Sequence, residues 1–145
     1  MLREKSAMND LPDIENSYPL YSGLEETLGY RRTIWTPEMA QTELIVDDRH
    51  MNIAGRVHGG IYAMLIDDAA GFLLCWSSNT VRDKPGLTLN LTTEFIGAPS
   101  TNHLIATATR KGGGRSIAFA AVEVKDSACV LLATGSATYK LKKPD

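Results

Sequence analysis

Residues 58–78 constrain this chain more than any other stretch. From Ile61 to Trp76 they read Ile-Tyr-Ala-Met-Leu-Ile-Asp-Asp-Ala-Ala-Gly-Phe-Leu-Leu-Cys-Trp, apolar almost all round and of helical length. In a soluble chain such a helix is buried on most of its faces, so the remaining sequence must wrap it. Two adjacent carboxylates, Asp67 and Asp68, interrupt the run. A buried carboxylate without a partner costs several kcal/mol or is neutralised. Each therefore needs a partner or a task, and the chemistry is sought there first.

The sequence around this helix is rich in strand signals. A short helix is predicted over 21–29, closed by Gly29, then a hairpin of strands 30–36 and 39–46 punctuated by Pro37. A polar connection, 47–57, delivers the chain to the helix, and a turn-rich one, 79–86, leaves it. Residues 87–95 alternate with period two, placing Leu87, Leu89, Leu91 and Phe95 on one face and Thr88, Asn90, Thr92 and Glu94 on the other. After a turn at 97–100 come strands at 103–110, 115–125 and 129–141, with a glycine loop at Gly112 to Gly114. Short turns between consecutive strands favour an antiparallel meander. The predicted fold class is α+β: a curved antiparallel sheet of five or six strands around one long helix. The expected organisation is a mobile segment at 1–19, a single domain at 20–141 and a short tail at 142–145.

At 145 residues the chain is one domain by length, large enough for a core without staples. Its net charge of −2 gives no general attraction to nucleic acid or an anionic membrane, so an anionic ligand needs a local basic cluster. Residues 1–11 carry charges but no apolar signal-peptide core, and the central helix is too short and too acidic to span a bilayer comfortably. Cys75 and Cys129 lie on predicted core elements without metal-ligand spacing and are expected as free, buried thiols in a reducing cytoplasm. His50 and His103 show no ligand spacing either, so neither a metal nor a resident cofactor is expected.

Gly59 and Gly60 stand where the helix should begin. The first helical N–H groups lack internal partners and sit at the positive end of the macrodipole, where they can hold a developing oxyanion; a tight turn into the helix explains the same dipeptide equally well. Asp67 follows Gly60 by nearly two turns, on a stripe with Ala63, Met64, Ala70 and Gly71, which leave space for a ligand or another chain. Asp68 points about 100° away, among Ile61, Leu65 and Phe72, and requires an unseen partner. Seven residues of rise separate Gly60 from Asp67 by about 10 Å, too far for both to touch one carbonyl group. If both act on one bond, one comes from a second subunit across a two-fold axis.

The run Asn52-Ile53-Ala54-Gly55-Arg56-Val57-His58-Gly59-Gly60, with Asp67 nine residues after the histidine, resembles hotdog-fold acyl-CoA thioesterases of the phenylacetate-pathway and hydroxybenzoyl-CoA type. The match continues through Pro85-Gly86-Leu87-Thr88-Leu89-Asn90 and the closing glycine-loop strands, over roughly residues 25–141. The resemblance implies a homodimer joined edge to edge, often paired again into a homotetramer. It also implies Asp67 as general base or nucleophile, the Gly60 N–H of the other subunit as oxyanion hole, Asn52 against the thioester or attacking water, and Thr88 holding that water. His58 would shape the turn and hydrogen-bond locally, beside Gly59 and Asn90 among the substrate-binding residues.

The loop Arg110-Lys111-Gly112-Gly113-Gly114-Arg115-Ser116 is the one local basic cluster with exposed backbone. Such loops suit phosphate groups, although they also serve as soluble hairpin ends. In the family, the phosphates of CoA lie near such a loop. No Gly-x-Ser-x-Gly elbow and no Walker motif is present. The expected activity is hydrolysis of an acyl or aryl thioester to a carboxylic acid and free CoA. The alternatives are a hotdog acyl-thioester dehydratase, a non-catalytic acyl-CoA binding protein and a purely structural dimer.

Overall fold

The computed structural model describes residues 23–75 and 86–142. The expected ends of the chain, Trp76 to Ser78 of the central stretch and the connection as far as Pro85 lie outside the described residues, apart from Lys142. Helix α1 (Gly23–Leu28) precedes strands β1 (Arg31–Trp35) and β2 (Met39–Ile45), a 3-10 turn (Asp48–His50) and the long helix α2 (Gly59–Leu74). Strands β3 (Gly86–Phe95), β4 (His103–Gly113), β5 (Ile117–Asp126) and β6 (Leu131–Leu141) follow.

The strands form one six-stranded antiparallel sheet in the order β1-β2-β4-β5-β6-β3, curved around α2. Its inner face is lined with small and branched residues, among them Ala106, Ala108, Ala120, Val122 and Val124, all buried, so the helix can approach closely. Leu65, Ile66, Ala69, Ala70 and Leu73 of α2 are fully buried against them. Burial of each such leucine or isoleucine is worth about 1.5–3 kcal/mol, so this face holds the fold. Ala70, expected on the open stripe, belongs to the core. Half covered on α2 are Ala63, Met64, Asp67 and Gly71, which share one line, and Asp68 beside them. Gly60 lies exposed at its head.

Strand β3 is an edge, and its other side has no strand neighbour among the described residues. Its alternation is not the simple one read from the sequence. The register with β6 slips between Thr88 and Asn90, a bulge at Leu89. One extra residue reverses the phase of everything before it. Thr88 therefore faces α2 together with Leu91 and Phe95, while Leu87 and Leu89 are exposed. Cys129 also departs from expectation. It is exposed, sits in the β5–β6 turn before the strand starts, and has a left-handed φ of 64°. Cys75 is buried at the end of α2, as expected, and burial raises its thiol pKa.

Helix α2 runs antiparallel to β3. A Cβ on Gly59 would stand 3.3 Å from the Phe95 ring at one end, and a Cβ on Gly86 would stand 2.8 Å from Cys75 Sγ at the other. The helix start and the Asp67 region thus face opposite halves of the β3 edge.

Candidate active site

Asp67 lies half-buried midway along α2, where the bulge turns Thr88 towards it. Thr88 Oγ1 donates to Asp67 Oδ1 at 2.8 Å. Thr88 is paired across the strands with Tyr139 of β6. The Tyr139 hydroxyl donates to the Asp67 backbone carbonyl at 2.8 Å and also lies against Asp67 Oδ1. Burial, and then the contact with Asp67, push the Tyr139 pKa far above the ordinary tyrosine value, so the phenol stays protonated and remains a donor. Sequence reading missed Tyr139. The register that places it opposite Thr88 is a tertiary property, and an isolated tyrosine on a strand reads as core.

Asp68 has the partner its burial required. Arg32 of β1 donates Nη2 to Asp68 Oδ1 at 2.5 Å and Nε to Oδ2 at 3.1 Å, a two-pronged pair. Thr42 Oγ1 adds a bond to Oδ2 at 2.8 Å, and Arg32 Nη1 reaches Glu25 at 3.1 Å. Burial opposes the charge on Arg32, but the neighbouring carboxylates, Asp68 foremost, outweigh it and raise its pKa. Every face of Asp68 is thus engaged in structure, whereas Asp67 opens on the uncovered stripe.

At the helix start, His58 is the N-cap, and its Nδ1 accepts the Gly60 N–H at 2.8 Å. The Gly60 N–H, the expected oxyanion donor, is thus taken within the chain, whereas for the N–H of the half-buried Gly59 no acceptor stands among the described residues. Asn52 folds its side chain back over the loop, Oδ1 accepting from Ala54 N at 2.9 Å and Arg56 N at 3.1 Å. Its acceptor is thereby occupied, leaving the amide NH2 to donate outward. Gly59 and Asn52 line one cleft of about 890 Å3 together with Arg56, Tyr62, Phe95 and the 97–102 loop. Asp67 is not part of that cleft. Eight residues of rise place it about 12 Å further along the axis from Gly59.

The 110–116 loop closes the β4–β5 hairpin. Gly113 has φ 120° and a Cβ there would strike Ile117 O and Ala118 Cα at 2.5 Å, so only glycine fits. Arg110, Lys111, Arg115 and Ser116 are exposed. Ala118 is the strand partner of Tyr139, so the loop lies just beyond the Asp67 end of the sheet. Asn90 is not brought to this site. It projects from the outer face, exposed and bonded to Thr92 Oγ1, because the bulge separates its phase from that of Thr88. Among the described residues, no group of three or more histidines, cysteines and acids is placed to hold a metal ion, and no helix is long and apolar enough to cross a membrane.

A family model described as the acyl-CoA thioesterase N-terminal domain matches residues 46–139. Acyl-coenzyme A thioesterase 13 of Mus musculus is 30% identical over 108 residues, covering 72% of this chain and 74% of its own length. The crystal structure of zebra fish thioesterase superfamily member 2 superposes with a TM-score of 0.72 at 27% identity, covering 94% of this chain and 91% of that one. A thioesterase of Haemophilus influenzae shares the fold at 19% identity and a TM-score of 0.73, over 83% of this chain and 82% of its own.

Proposed function

The chain belongs to the acyl-CoA thioesterase family and has its hotdog fold, and on that premise we propose that it hydrolyses an acyl-CoA thioester with a site shared between two copies of the chain. One observation carries the reading: Asp67 opens on an uncovered helix stripe, about 12 Å from a cleft lined by the free donors at Gly59 and Asn52. Two such chains joined along their β3 edges by a two-fold axis bring the Asp67 end of one against the cleft of the other. The exposed apolar residues Leu87, Leu89, Phe95 and Ile96 on and beside that edge favour such a contact over solvent.

In this arrangement the Gly59 N–H and the Asn52 amide polarise the thioester carbonyl and receive its developing negative charge. Asp67 of the other copy acts as general base, drawing a proton from water as its oxygen bonds to the carbonyl carbon, or as nucleophile on that carbon. On the general-base route the carbon–sulfur bond breaks, the proton passes to the departing thiolate, and the products are a carboxylic acid and CoA; on the nucleophile route the thiolate leaves an acyl–Asp67 anhydride, and water then cleaves it to the carboxylic acid and free Asp67, supplying the proton that the thiolate takes up. The Arg110–Ser116 loop lies at the Asp67 end, where its cations and close-approach backbone suit the CoA phosphates. His58 supports this machinery by capping the helix that presents Gly59.

The deciding measurement is thiol release from a panel of short-chain, long-chain and aryl acyl-CoAs, corrected for Cys75 and Cys129. Wild type should release CoA from some of them, and Asp67→Asn should lower kcat by about 10²- to 10⁴-fold while keeping fold and assembly. Saturable acyl-CoA binding without release by wild type would overturn the hydrolase assignment, and near wild-type turnover in Asp67→Asn would overturn the role of Asp67.

A further inference from the structure

The phenol of Tyr139 is placed with more care than core packing asks of a tyrosine. It is 5% exposed, and its hydroxyl reaches both the backbone carbonyl and Oδ1 of Asp67. Thr88, its cross-strand partner, delivers a second hydroxyl to the same Oδ1. One carboxylate oxygen thus receives two donors, while among the described residues none reaches Oδ2. The space for the phenol is made by an absence. Gly71 lies one turn after Asp67, and a Cβ there would stand 2.8 Å from the Tyr139 hydroxyl oxygen.

We propose that Tyr139 is a positioning residue for the reaction: with Thr88 it pins Asp67 Oδ1, so that Oδ2 alone is presented to water or the thioester, and Gly71 is the slot that admits its hydroxyl. This rests on Asp67 being the catalytic carboxylate. A free carboxylate on a helix samples several rotamers and offers either oxygen, so only part of its conformations suit attack. Two hydroxyls on one oxygen remove that freedom before substrate arrives. The second oxygen is left with its lone pairs unengaged by the described residues, on a side chain that is half-buried and open to a partner or substrate. Both hydroxyls are neutral, so they fix the carboxylate without neutralising it as an arginine would; the neighbouring Asp68, held by Arg32, shows the contrast.

The test compares Tyr139→Phe, Gly71→Ala, their double variant and Asp67→Asn in steady-state thiol release. Tyr139→Phe keeps the ring and removes only the hydroxyl. Gly71→Ala keeps the hydroxyl and displaces it. Each should lower kcat by roughly 10- to 100-fold with KM changed less than about twofold, since a hydrogen bond to a charged group is lost while binding contacts remain. The double variant should be no worse than the poorer single one, as both break the same contact. Wild-type kcat in Tyr139→Phe, beside an inactive Asp67→Asn, would overturn the positioning role while leaving the hydrolase reading intact. A lowered melting temperature with unchanged kcat would assign Tyr139 to packing alone and overturn the role equally. Activity in Asp67→Asn would instead remove the premise.

Discussion

Asp67 and Asp68 are chemically the same residue, one peptide apart on one helix, and their surroundings give them opposite duties. Asp68 is saturated by Arg32 and Thr42 inside the sheet, whereas Asp67 meets two hydroxyls on a single oxygen. Their separation is testable. Arg32→Met leaves Asp68 without its cation in a site where the Arg32 side chain is only 9% exposed. Removing one partner of such a pair costs about 3–5 kcal/mol, so the variant should melt far below wild type. At temperatures where it stays folded, kcat per folded molecule should remain within a few-fold of wild type. A variant of normal stability with lost turnover would reverse the division of labour between the two acids. That Asp67 is the one left facing open space was legible from the small residues on its stripe. The partner of Asp68 was not, because Arg32 lies 36 positions away and nothing local marks the pairing.

Elements succeed or fail here by what a one-dimensional pattern can carry. The long helix and six strands appear nearly where periodicity places them, since burial on one face is written directly into the spacing of apolar residues. The bulge at Leu89 is not written that way. It leaves the alternation of 87–95 intact on paper while reversing which face Thr88 occupies, and so it builds the Asp67 site and expels Asn90 from it. The β5–β6 turn was equally opaque, and its organiser is Asp126. Burial raises the pKa of this carboxyl, but bonds from Ser100 N, Val130 N, Ser100 Oγ and Thr101 N, with a further one from Ala128 N, hold it at about 2. Those bonds tie the turn to the loop that lines the cleft beside Asn52 and Gly59. A folded-state pKa depressed below the ordinary aspartate value of about 3.9 contributes stability that is complete above pH 4 and fades as pH falls towards 2. Asp126→Asn should therefore lower the melting temperature at neutral pH, with the gap to wild type closing between about pH 4 and pH 2. A gap of constant size across that range would show that the charge of Asp126 is not what holds the turn.

For the whole molecule the decisive feature is incompleteness. One chain carries Asp67 at one end of its open edge and the cleft lined by Gly59 and Asn52 at the other, and its own fold keeps them apart. If the site is shared, two crippled chains can repair each other. Asp67→Asn and Asn52→Ala chains, mixed after unfolding and refolded together, should recover about one quarter of wild-type turnover, since half of the random pairs hold one intact site of two. No recovery above the two separate variants would place the whole site within a single chain. The approximate distance along the helix axis made this separation legible in the sequence, while the bond that takes up the Gly60 N–H was not, because the cap made by His58 is a side-chain event. The open β3 edge has a last consequence, in the domain of abundance rather than structure. An enzyme whose active site exists only in the paired form has a turnover that scales with the square of concentration at high dilution, so the amount of protein made becomes itself a control on whether it works at all.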